Sequence, residues 1–95
     1  MHIRRPHALG LDRAREVATQ WTQEARSQWA MTCQVTSEPH QDTVSFSRAG
    51  VAGTLQVTAD AFELKAQLGF LMTAFAPAIE AEVSRNLDRL LGQAT

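Results

Sequence analysis

Residues 62–91 read FELKAQLGFLMTAFAPAIEAEVSRNLDRLL, and the fold follows from how this stretch changes period. Phe62, Leu64, Ala66, Leu68 and Phe70 are apolar, with Glu63, Lys65 and Gln67 between them. A period of two predicts a strand with one buried face. From Pro77 the spacing turns helical: Ile79, Val83, Leu87, Leu90 and Leu91 share one side of a 3.6-residue helix. Pro77 falls where a first helical turn tolerates a missing N–H, and Gly92 marks the expected end of the helix. Gly69 predicts a bend near the end of the strand. A strand therefore feeds directly into a closing helix, and both need a surface to pack on.

The upstream chain supplies that surface. Met1 to Pro6 is expected to be extended, with Ile3 inward and His2 and Arg4 outward, because Arg5 precedes a proline. Leu11 to Trp29 is expected to be a helix. Leu11, Ala14, Val17, Ala18, Trp21, Ala25 and Trp29 fall within about a third of its circumference. Asp12 suits its N-cap or first turn. Three further strands follow at hairpin spacing. In Met31–Ser37, Cys33 and Val35 share the inner face. In Thr43–Arg48 the inner residues are Val44 and Phe46, and in Val51–Ala59 they are Val51, Gly53, Leu55 and Val57. The opposite face is Thr, Ser, Gln, Glu and Lys, as in an antiparallel sheet with one wet side. The predicted fold is α+β, in the order βαββββα: a meander with both helices packed on one face, in a single domain spanning 1–95.

The bulk numbers exclude several classes. Nine basic and ten acidic residues leave a net charge of −1, with no broad field to attract nucleic acid or an anionic membrane. No apolar run approaches the ~20 residues of a membrane span. The first residues, MHIRRPHALG, carry charge with no apolar stretch behind it, unlike a signal peptide. One cysteine rules out an internal disulfide framework. These features favour a cytoplasmic protein.

Candidate chemistry is sparse. His2, His7 and His40 lack metal-ligand spacing, and no cofactor is expected. Cys33 is in phase with the buried face, so a Cys33–His40 nucleophilic pair lacks the exposed thiol it needs. Asp12/Glu16 and Glu80/Glu82 lie on helix flanks without a cleft. Gly50 and Gly53 flank a hairpin strand and not a helix N-terminus, so no phosphate loop is formed. The wet sheet face has no aromatics to stack on bases, and Arg4, Arg5 and His7 read as a solvated terminus. Two residues break the pattern. Asn86 lies in the apolar stripe of the closing helix and needs a partner, expected to be strand or loop backbone, or else a ligand. Arg48 is in register with Val44 and Phe46 and is expected to reach the rim and pair with Glu80 or Asp88.

Pro6-His7 with Leu9-Gly10-Leu11, then Arg48-x-Gly50-Val51-x-Gly53, Leu68-Gly69-Phe70-Leu71, and Ile79-Glu80 with Asn86-Leu87-Asp88 recur together across nearly the whole chain. The combination resembles the polyhydroxyalkanoic acid system family, small bacterial proteins linked to polyester storage granules. The segment Cys33 to Gln41 carries no recognised motif. The resemblance implies a setting near polyhydroxyalkanoate metabolism and carries no catalytic residues over. The architecture also resembles a shortened Bet v 1-like helix-grip fold, an analogy of fold alone.

With no convergent acid, base, nucleophile or metal set, the expected role is a non-enzymatic accessory protein that binds. Granule proteins, the polymer surface or an acyl intermediate would be its partner, and Leu71, Met72 and Phe75 at the strand–helix junction its contact patch. The alternative is an acyl-chain carrier with a pocket of ~300 Å³ or more, lined by Trp21, Phe46, Phe70 and Asn86. The candidate contacts are thus Trp21, Arg48, Phe70, Phe75 and Asn86. A free strand edge leaves pairing with a second copy open.

Overall fold

A computed structural model describes residues 1–94. The elements run β1 (His2–Pro6), α1 (Leu11–Gln28), β2 (Thr32–Ser37), β3 (Asp42–Arg48), β4 (Val51–Val57), β5 (Ala61–Leu68), a short 3-10 helix (Phe70–Phe75) and α2 (Ala76–Ala94). This is the expected βαββββα order. The sheet is open and antiparallel throughout, in the order β1-β5-β4-β3-β2. The meander thus occupies four adjacent positions, and β1 returns to pair with β5, placing Ile3 opposite Leu64.

The alternation sorts side chains as predicted. Val44, Phe46, Leu55, Val57, Phe62 and Leu64 are buried, while Gln34, Thr36, Ser45, Thr54, Lys65 and Gln67 are exposed. On α1 the buried stripe is Ala14, Val17, Ala18, Trp21 and Ala25, joined by Thr22, whose hydroxyl donates to the Ala18 carbonyl. Three alanines and one tryptophan let the helix lie close to the sheet, with a single bulky anchor. Trp21 is 2% exposed and meets Phe46 edge-on at 5.3 Å and Trp29 at 6.2 Å. Gly53 makes room for Phe46: a β-carbon there would come within 2.3 Å of the Lys65 carbonyl and 2.7 Å of the Phe46 ring.

Three expectations about the elements are corrected. Phe70 is not on the strand. The last pair of the ladder is Val51–Leu68, because β4 begins at Val51 and β5 has no neighbour beyond it. Gly92 does not end α2, which continues to Ala94. Val35 is in phase with the inner face yet 51% exposed, because β2 is an edge strand that α1 only partly covers.

Candidate interaction surface

The feature that stands apart is the junction between β5 and α2. The Gly69 N–H donates to the Gly50 carbonyl at 2.7 Å, tying the end of β5 to the β3–β4 turn. The chain then winds into the 3-10 helix, held by Met72 N–H to the Gly69 carbonyl and by the Thr73 hydroxyl to the Phe70 carbonyl. None of its residues is buried. Phe70 is 90% exposed, Leu71 82% and Phe75 58%. Met72, named with them as a contact, instead packs partly against the core and over Gly50. From Leu68 to Ile79 the sequence carries no charged side chain.

Large exposed apolar side chains scattered singly are ordinary; a contiguous group marks a contact site. Among the described residues, three of the four large exposed apolar side chains fall on this one helix. Fully covering a Phe or Leu gains about 1.5–3 kcal/mol, so covering Phe70, Leu71 and Phe75 together offers on the order of 5 kcal/mol.

The other candidate residues are structural. Arg48 does not pair with Glu80 or Asp88. It sits beside the β3–β4 turn, and its guanidinium donates to the Trp29 carbonyl at 2.9 Å, satisfying a group at the end of α1. Asp88 pairs instead with Arg5 at 2.8 Å. Asn86 is buried, and its amide does not reach strand or loop backbone. It donates to the Glu24 carboxylate on α1, to which Arg89 also donates. The reason is that this side of α2 meets α1 as well as the sheet. Asn86 Oδ1 is buried without a partner.

One further ionic contact lies outside the expected pairs. Asp42, just outside the expected strand Thr43–Arg48, is a buried β3 residue paired with Arg15 at 3.0 Å. Its phase with Val44 and Phe46 was the available clue. Arg15 also donates to the Glu38 carbonyl.

The chemical candidates stay apart. Cys33 lies near the start of β2 and His40 in the turn beyond its end. Burial pushes the Cys33 thiol up, against the charge of Arg26, so the nucleophilic thiolate is disfavoured. Asp12, Glu16, Glu80 and Glu82 are all exposed. Among the described residues no group of three His, Cys, Asp or Glu is arranged to hold a metal ion. No helix there is long and apolar enough to cross a membrane. The recess between α1 and the sheet has a volume of about 140 Å³ and is lined by residues that include buried Thr22 and half-exposed Val35. Trp21, Phe46 and Asn86 do not line it; they are packed into the core and the helix seam.

Residues 1–91 match the family model described as "Putative polyhydroxyalkanoic acid system protein". The chain belongs to this family. No match was found among curated proteins or solved structures. The family match spans β1 through nearly all of α2, so the exposed 3-10 helix lies within the matched region and is no appendage to it.

Proposed function

We propose that this member of the polyhydroxyalkanoic acid system family is a non-enzymatic, cytoplasmic accessory protein that works by binding, with Phe70, Leu71 and Phe75 as its contact. The observation that carries this reading is the exposure of those three side chains on an uncharged, twelve-residue stretch, 68–79. Folding leaves them in water while Leu55, Val57 and Leu64 are withdrawn completely or nearly so. The polyester is itself an apolar surface in water, so the same patch suits the polymer or an apolar groove on a protein that coats it.

The carrier alternative has less support. It requires a cavity of ~300 Å³ or more; the α1–sheet recess is about 140 Å³, and the wider depression of about 490 Å³ between β5 and α2 is lined by none of Trp21, Phe46, Phe70 and Asn86. Phe70, one of its proposed lining residues, points away from the core.

Co-sedimentation with polyhydroxyalkanoate granules tests the proposal. The intact protein should pellet with native granules. The triple variant Phe70→Ser/Leu71→Ser/Phe75→Ser should stay in the supernatant while keeping its circular dichroism spectrum. Particles of bare polymer compared with protein-coated granules separate polymer from protein as the bound surface. An intact protein that ignores both, or a triple variant that binds as well as the parent, removes the reading.

A further inference from the structure

The two edges of the sheet are built differently. At β1 the sequence is HIRRP, with two arginines and a proline, residues that discourage another strand from adding. At β2 it is TCQVTS, with no charge and no proline. The hairpin decides which backbone groups of β2 face outward. The Glu38 N–H donates to the Gln41 carbonyl at 2.8 Å. Hydrogen-bonded and non-hydrogen-bonded pairs alternate along an antiparallel ladder. Counting back through Ser37–Asp42, Val35–Val44 and Cys33–Phe46, the N–H and C=O of Ser37, Val35 and Cys33 point away from β3. The Arg26 guanidinium reaching the Cys33 carbonyl at 2.9 Å agrees with this.

We infer that the β2 edge pairs antiparallel with β2 of a second copy of this chain, about a twofold axis at Val35. This register sets Val35 opposite Val35 and Cys33 opposite Ser37, so every outward-facing group meets its complement. A carbonyl accepts two bonds, so Arg26 keeps its contact with Cys33. An axis perpendicular to the sheet leaves both helical layers on the same face. The two half-exposed Val35 side chains then cover each other, which accounts for an apolar residue left open in the lining of the α1–β2 recess. Charge favours a second copy over an unrelated extended peptide. Among the described residues Glu38 makes no ion pair and Arg26 none with a carboxylate. The twofold register brings Glu38 of each copy to the strand end flanked by Arg26 of the other.

Sedimentation velocity over a range of protein concentrations tests the pairing. The intact chain should show a reversible monomer–dimer equilibrium. Val35→Pro removes an N–H that serves no bond to β3, a place where an edge strand tolerates proline. It should therefore keep the β2–β3 hairpin, read by circular dichroism and thermal midpoint, and sediment as a monomer. Glu38→Arg should weaken the dimer roughly tenfold, and Glu38→Arg/Arg26→Glu should restore it. The charge pair keeps the test open should the proline variant fail to fold. A chain that stays monomeric at every concentration overturns the inference. So does self-association that survives Val35→Pro but is lost on Phe70→Ser, which would assign it to the apolar patch.

Discussion

Met72 lies over Gly50: a β-carbon on that glycine would come within 2.9 Å of Met72 Cγ. Gly50 also has φ +83°, a left-handed conformation that costs a residue with a side chain about 1–2 kcal/mol. One glycine thus turns the β3–β4 hairpin and seats the methionine that holds the 3-10 helix against the sheet. Gly50→Ala should destabilise the fold by about 1–2 kcal/mol in urea. It should also loosen the junction, because Met72 must move. Faster amide exchange of residues 69–75 than in the parent would report that movement. Loss of stability with unchanged exchange there would show that Met72 is not the anchor.

The seam between the helices gives a second prediction. Asn86 donates to Glu24, while its own Oδ1 has no partner. Asn86→Ala removes a donor from a partly buried carboxylate and leaves a gap, and should cost about 1–3 kcal/mol. Asn86→Leu takes the unpaired oxygen away and adds apolar contact with α1, so it should cost less than Asn86→Ala. Urea unfolding of both variants, in the parent and in Glu24→Gln, measures the coupling. Equal losses for Ala and Leu would mean that the unpaired oxygen carries no penalty.

Most of the fold was legible because inner strands report their environment locally. Val44, Leu55 and Leu64 each have a strand on both sides, so period-two spacing alone assigns their face. Legibility fails where burial depends on distant chain. Val35 obeys the same spacing, but whether it is covered depends on how far α1 extends over an edge. Phe70 continues the alternation of β5, yet its strand stops because β4, its neighbour, starts at Val51. The place of Asn86 in the apolar stripe does mark it as buried and in need of a partner. Its helical spacing does not reveal whether that partner is sheet or helix. The contact patch was partly legible: Leu71 and Phe75 sit where period two has ended and the helical stripe has not begun.

His7 makes stability depend on pH. Its Nδ1 accepts the Leu9 N–H at 3.1 Å, and its ring lies 5.0 Å from Phe62. Burial lowers its pKa below the ordinary 6.5, although the Thr58 backbone and the charge of Asp60 oppose that shift. Protonation would also place a hydrogen on the nitrogen that accepts from Leu9. The unfolded chain therefore takes up the proton first as pH falls. Stability from this group is complete above 6.5, is lost as pH drops towards the lowered folded value, and changes no further below it. Urea midpoints between about pH 8 and about pH 5 should fall, and His7→Gln should flatten that slope. A slope unchanged by His7→Gln would place the titration elsewhere.

The exposed 3-10 helix predicts a separation of stability from binding. Phe70 and Leu71 are almost as open in the folded chain as in the unfolded one, so folding recovers little from their apolar area. Phe70→Ser and Leu71→Ser should each change stability by no more than about 0.5 kcal/mol. Leu64→Ala, at a position 1% exposed, should cost about 2–5 kcal/mol. A side chain kept only for the core would show the opposite ranking. Were Phe70→Ser to cost as much as Leu64→Ala, the phenyl ring would have to be packed in solution, and the patch would not be free for a partner. If the ranking holds, Phe70 and Leu71 contribute nothing to the fold that would explain their being in water. Their coverage by a bound surface then becomes the measurable quantity: granule binding lost in the same variants whose unfolding midpoint has not moved.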